Sequence, residues 1–251
     1  MFIIENLDFS YGSKKILNDI NLKIKKGIFM SIIGPNGSGK TTLINLINGM
    51  NTNYSGNIRY LDKDLFEYSI EEKAKNFSII SQRSAIDFPF TCMEIVMMGR
   101  NPYKNRLNSL SEKDLGIVID VMKKTDTFKF ANSLITEVSG GELQRIILAR
   151  ALAQNPRVLF LDEAFSAMDI SYKINAIRLI KKLVKEEGLT VVSVMHDINV
   201  AYKFSDEVCA LKQGKVQGFG NPKEIITESF VYDVFDVEVE KINDKGFFVK
   251  V

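Results

Sequence analysis

The sequence predicts an α/β fold built on a parallel sheet with crossover helices. Short apolar runs alternate with longer segments of helical period, the two later runs are apolar almost throughout, and a glycine-rich loop joins one run to the helix behind it. Residues 28–33, 77–80, 158–161 and 190–195 are the expected strands; the last two have the composition of strands buried on both faces. Helical period follows at 40–48, 141–153 and 172–187, with Gly188 placed to stop the last one in a left-handed C-cap. The first 25 residues and the stretch 208–220 read as short strands and turns, including Lys212-Gln213-Gly214-Lys215. Residues from about 87 to 153 are mostly helical in pattern and read as an insertion between two strand-rich parts. No repeat, low-complexity tract or linker divides the chain.

Composition removes several function classes. With 33 basic and 31 acidic side chains the net charge is +2, which gives no reason to expect nucleic acid or an anionic membrane as a partner. His196 is the one histidine among the 251 residues, so a metal site needing two histidines is excluded and a serine triad has one candidate base. Cys92 and Cys209 are too few and too far apart for a disulfide framework, which suits a reducing compartment. No run approaches the roughly 20 apolar residues of a membrane span, and Met-Phe-Ile-Ile-Glu-Asn lacks the features of a secretory signal. The expectation is a cytoplasmic protein that reaches a membrane only through a partner.

Gly34-Pro35-Asn36-Gly37-Ser38-Gly39-Lys40-Thr41 fits the phosphate-loop pattern in full, after an apolar strand and before a helix. Glycines let successive N–H groups turn toward one anion, and the helix N-terminus adds partial positive charge. Lys40 would reach the β- and γ-phosphates, and the Thr41 hydroxyl would ligate Mg²⁺. Val158-Leu159-Phe160-Leu161-Asp162-Glu163 is a buried strand that ends on two carboxylates, at the strand end where open α/β sheets bind ligands. Asp162 suits the Mg²⁺ shell, and Glu163 can polarise an attacking water.

Val138-Ser139-Gly140-Gly141-Glu142-Leu143-Gln144-Arg145, standing between these two motifs, resembles the signature of the ATP-binding-cassette ATPases. The resemblance covers essentially the whole chain. It implies a P-loop NTPase (RecA-like) core of about 1–86 and 154–251, with an N-terminal antiparallel β subdomain and an inserted helical subdomain at about 87–153, all within a single domain 1–251. It further implies that Tyr11 stacks on adenine, that Thr42 joins the phosphate contacts, and that Gln82 reaches the metal or its water. His196, in the position of the switch histidine, would donate a hydrogen bond to the γ-phosphate. Ser139, Gly140, Gly141 and Asp169 (the last within Ser166-Ala167-Met168-Asp169) would contact the nucleotide of an opposite subunit, so that two chains sandwich two ATPs. Partners implied are a second copy of the chain, transmembrane permease subunits and, indirectly, an external substrate-binding protein, at the cytoplasmic face of a membrane.

A finer likeness lies in Gly99-Arg100-Asn101-Pro102 and in His196-Asp197-Ile198-Asn199-Val200-Ala201, which resemble the ATPases of iron–siderophore, haem and cobalamin importers. Ala164 and Phe165 depart from the family's usual Pro and Thr, Val138 and Glu142 from its Leu and Gln, and Ile28 from a common Glu. A zinc or manganese importer ATPase is the nearest alternative. The other class is a soluble ABC ATPase serving nucleic acid or the ribosome, against which stand the short interval between phosphate loop and signature, the single cassette and the balanced charge.

Overall fold

The structure, a computed structural model, describes residues 1–81, 88–104, 111–165, 168–243 and 246–250. Its strands are β1 (Phe2–Tyr11), β2 (Lys14–Ile24), β3 (Phe29–Ile33), β4 (Ser55–Tyr60), β5 (Lys63–Asp64), β6 (Phe77–Ile80), β7 (Val158–Asp162), β8 (Thr190–Val194), β9 (Glu207–Lys212), β10 (Lys215–Gly220), β11 (Val239–Ile242) and β12 (Gly246–Val249). Its helices are α1 (Lys40–Ile47), α2 (Ile70–Asn76), α3 (Cys92–Met97), α4 (Glu112–Lys124), α5 (Gly140–Ala153), α6 (Ile170–Glu187), α7 (Ile198–Phe204), α8 (Pro222–Ile225) and α9 (Glu228–Phe235), with short 3₁₀ turns between some of them. Two units emerge: Met1–Ser69 with Thr190–Val251, and Ile70–Leu189.

In the first unit, β1 pairs antiparallel with β2 on one side and β4 on the other, giving the order β2-β1-β4-β5. Phe2, Ile4, Leu7 and Phe9 are all buried, so the period-2 alternation of β1 breaks once, where its register with β2 shifts between Ile4 and Leu7. Asn6 takes a φ of 49° at this bulge, and Asp19 on β2 takes 52°. The Asn21 side-chain oxygen accepts from Asn6 N–H at 2.9 Å, and the Asp8 carboxylate accepts from Asp19 N–H at 2.8 Å. Asn and Asp tolerate the left-handed region, and the extra residue returns Leu7 and Phe9 to the core. The first 25 residues therefore form two long strands where the sequence pattern suggested short ones.

β3 lies between two parallel neighbours, β8 and β9, and β10 pairs antiparallel with β9. Every residue of β3 and β8 is buried, as near-continuous apolar runs require. Ser31, the polar residue of β3, is satisfied by the Ser205 hydroxyl at 2.6 Å. Gln213 and Gly214 turn β9 into β10 with φ of 50° and 73°, the left-handed pair that matches strand twist in a tight hairpin. A terminal hairpin, β11 with β12, closes the chain.

In the second unit, β6 and β7 pair in parallel, Phe77 opposite Val158 through Ile80 opposite Leu161. Helices α3, α4 and α5 all start with a capping box: Thr91 with Glu94, Ser111 with Asp114, and Ser139 with Glu142. The run Gly99-Arg100-Asn101-Pro102 acquires a packing role. A Cβ on Gly99 would lie 2.2 Å from the Arg150 carbonyl oxygen, so only glycine admits α5 at this distance. Buried Arg100 donates to the Asp114 carboxylate at 2.9 Å and to the Ala153 carbonyl at 2.7 Å, and lies over the Tyr103 ring at 4.0 Å. Gly188 ends α6 with φ 69°, the expected left-handed cap. The fold is the expected α/β P-loop NTPase type, with an N-terminal antiparallel β part and inserted helices.

Candidate functional site

In the first unit, residues 34–39 form a loop whose curvature is set by glycines. Gly34, Gly37 and Gly39 have φ of 148°, 76° and 102°. At Gly34 a Cβ would stand 2.1 Å from the Leu211 carbonyl oxygen and at Gly39 2.6 Å from Leu17 Cδ2, so the chain is tight as well as left-handed there. Gly214 straps the loop from outside: its N–H donates to the Ser38 carbonyl at 3.2 Å and its carbonyl accepts from Asn18 N–H at 2.8 Å. Sequence reasoning saw Gly214 only as a turn residue; its partners are too distant in sequence to leave a local signal.

Three features of this loop suit a phosphate. Helix α1 has no side-chain cap and no acid in its first turn, so its leading amides point at the loop. The buried Ser38 hydroxyl has no hydrogen-bond partner among the described residues. Lys40 is buried, and its ammonium donates to the Gly34 and Pro35 carbonyls at 2.9 Å each, closing a ring across the loop. Pro35, Asn36 and the exposed Thr41 complete the expected set, with Thr42 buried behind them. Tyr11 ends β1 with its ring 53% exposed and held edge-on by Phe9 at 4.7 Å, which leaves a flat face for a base. His196 is exposed directly beyond β8, and Asp197 caps α7 by accepting from Val200 N–H at 3.1 Å.

In the second unit, Asp162 ends the fully buried β7 and is itself 6% exposed. Glu163 follows with φ 54°, a conformation costing about 1 kcal/mol or more for a side chain of this size. Ala164 and Phe165, the departures from the family pattern, are buried at 3% and 7% exposure. Asp169 precedes α6, its carbonyl accepting from Lys173 N–H at 2.9 Å. Ser139 caps α5: its hydroxyl oxygen accepts from Glu142 N–H at 3.4 Å, while the Glu142 carboxylate accepts from the Ser139 N–H and O–H at 2.8 Å each. The Ser139 backbone bond, then its hydroxyl bond, hold the Glu142 carboxyl below its ordinary range. Gly140 and Gly141 carry no strain and no close neighbour. Gln82, Ser166 and Ala167 lie outside the described residues.

Among the described residues no cluster of three or more His, Cys, Asp or Glu could cage a metal. The Thr41 hydroxyl in the first unit and the Asp162 carboxylate in the second are each a hard oxygen donor of the kind that Mg²⁺ takes. No helix of the described residues is long and apolar enough to cross a membrane.

The family model described as ABC transporter matches residues 17–166. An uncharacterized ABC transporter ATP-binding protein of Bacillus subtilis (strain 168) is 39% identical over 94% of this chain. The chain spans about half the length of that relative, 53% of it. A hemin import ATP-binding protein of Escherichia coli O157:H7 is 33% identical, covering 97% of this chain and 95% of its own. Among solved structures, a dimeric ATP-binding cassette in a post-hydrolysis state with ADP and Pi superposes with a TM-score of 0.77 at 31% identity, covering 88% of this chain and 99% of its own.

Proposed function

As the chain belongs to the ABC transporter family, we propose that it is the ATP-hydrolysing subunit of an importer for an iron–siderophore chelate, haem or cobalamin. The observation that carries this reading is the phosphate loop, with its uncapped helix, orphaned Ser38 hydroxyl and buried Lys40. The hemin-import relative, matched over nearly its whole length, and the Gly99–Pro102 and His196–Ala201 runs support the choice of cargo.

The loop amides of residues 34–39 and the first turn of α1 surround the phosphates, and Lys40 exchanges its two carbonyl partners for phosphate oxygens. Tyr11 stacks on the adenine, and Thr42 supports the loop from behind. Thr41, Asp162 and Gln82 would hold Mg²⁺, which would supply charge neutralisation for the phosphates. Glu163 orients and polarises the attacking water, and His196 donates to the γ-phosphate. Ser139, Gly140, Gly141 and Asp169 act on the nucleotide of a second copy, so that ATP binding closes a homodimer and hydrolysis releases it. The post-hydrolysis dimer supports this arrangement. Separate transmembrane subunits, supplied by an external binding protein, dock the dimer at the cytoplasmic face of the membrane.

Glu163→Gln is the test. The variant keeps ATP affinity, loses turnover by at least about a hundredfold and accumulates an ATP-dependent dimer in size-exclusion chromatography. Turnover at the parent rate would remove Glu163 from the mechanism.

A further inference from the structure

The run from His196 to Ala201 contains Asn199, for which hydrolysis itself provides no task. Its side-chain oxygen accepts from Phe247 N–H at 2.7 Å, and its amide nitrogen donates to the Phe247 carbonyl at 3.0 Å. Both backbone groups of one residue are thus met by one primary amide, a donor–acceptor pair that aspartate or alanine cannot reproduce. Gly246 makes the approach possible: it has φ 141°, and a Cβ there would stand 2.6 Å from the Asn199 side-chain oxygen. Three residues further along α7, buried Tyr202 meets Phe247 edge-on at 5.3 Å and 89°. The short helix α7 is therefore seated on the β11–β12 hairpin along one face, while its N-terminus is capped by Asp197, next to His196.

We propose that Asn199 is a positioning residue for ATP hydrolysis, and that the C-terminal hairpin is the body against which it sets the His196 segment. This rests on the role assigned to His196. The phosphate loop is strapped elsewhere, by Asn18 and Gly214, so the hairpin governs turnover and leaves nucleotide binding alone.

The experiment compares His196→Ala, Asn199→Ala, Asn199→Asp, Gly246→Ala and the His196→Ala/Asn199→Ala double variant, each assayed for kcat at saturating ATP and for affinity toward a non-hydrolysable ATP analogue. Asn199→Ala and Gly246→Ala each lower kcat about tenfold with analogue affinity within about twofold, because a small misplacement of a reacting group is costly. Asn199→Asp, which sets an oxygen against the Phe247 carbonyl in place of the donor, does no better than Asn199→Ala. The double variant is no slower than His196→Ala alone, since Asn199 acts through that residue. Parent-level kcat in folded Asn199→Ala, or a full further loss in the double variant, overturns the proposal. Should Asn199→Ala fail to fold, parent-level kcat in Gly246→Ala overturns it equally. Parent-level turnover in His196→Ala would instead overturn the reading beneath.

Discussion

If Gly141 serves a second copy, its substitution separates that role from what the chain needs for itself. The glycine occupies the first turn of α5 at an ordinary negative φ, and a methyl group there would meet nothing within 4 Å. Within one chain alanine is therefore free of strain, and it removes conformational freedom from the unfolded state, worth about 0.4–1 kcal/mol in favour of folding. For a chain of 251 residues each kcal/mol moves the melting midpoint by about 2–4 °C, so Gly141→Ala raises it by about 1–4 °C. If an opposing γ-phosphate must approach these amides, the same methyl group obstructs it. The variant then binds ATP as the parent does, loses turnover at least about tenfold, and forms no ATP-dependent dimer when combined with Glu163→Gln. Thermal unfolding, equilibrium nucleotide binding and size-exclusion chromatography read the three effects separately. A fall of several degrees, or full turnover in a stabilised variant, would refute the assignment of this glycine to the partner's nucleotide.

Gly34→Ala should behave in the opposite way: with φ 148° and a Cβ 2.1 Å from the Leu211 carbonyl oxygen, it costs about 2 kcal/mol or more in urea unfolding and weakens ATP binding, and unchanged values would contradict the strained loop. At low pH the inserted helices should fray first. Glu94 and Glu142 are held low chiefly by backbone hydrogen bonds from Thr91 and Ser139, and Asp114 by the Ser111 hydroxyl and then Arg100. A depressed carboxyl stabilises above its unfolded value, 4.5 for Glu or 3.8 for Asp, and that contribution is lost as pH falls through the lower folded value. Amide hydrogen exchange between about pH 5 and 3 should therefore show protection falling in 91–153 ahead of β3 and β8; simultaneous loss would count against the capping boxes as the acid-sensitive element.

The parts legible in the sequence were those whose physics is local. A strand buried on both faces is apolar almost throughout, which made β7 and β8 visible; a phosphate loop needs glycines, lysine and hydroxyl at fixed spacing, and a left-handed stop at Gly188 needs glycine. Less visible was whatever depends on a distant partner. β1 read as broken because Asn6 forms a bulge that only its bond to Asn21 reveals. Glu163 carries no mark of its positive φ, since glutamate is not a residue that favours the left-handed region. Gly214 and Asn199 act on Ser38 and Phe247, far along the chain, and no periodicity or short motif encodes such pairs.

Ser139 shows how a local device and a proposed intersubunit contact compete for one atom. A serine hydroxyl has a single proton to donate, and in this chain it goes to the Glu142 carboxylate at 2.8 Å. Donation to a phosphate oxygen of a second copy therefore requires the hydroxyl to leave Glu142, while the 2.8 Å bond from Ser139 N–H to the same carboxylate can persist and keep the helix capped. The carboxylate that remains is an anion beside an arriving anion, where the family's usual glutamine would be neutral. In the proposed contact the amides of α5's first turn, which stay oriented whatever the hydroxyl does, would consequently carry more than the serine side chain. Under the proposed dimer, the unobstructed backbone at Gly140 and Gly141, rather than the hydroxyl, would be the feature on which closure depends most.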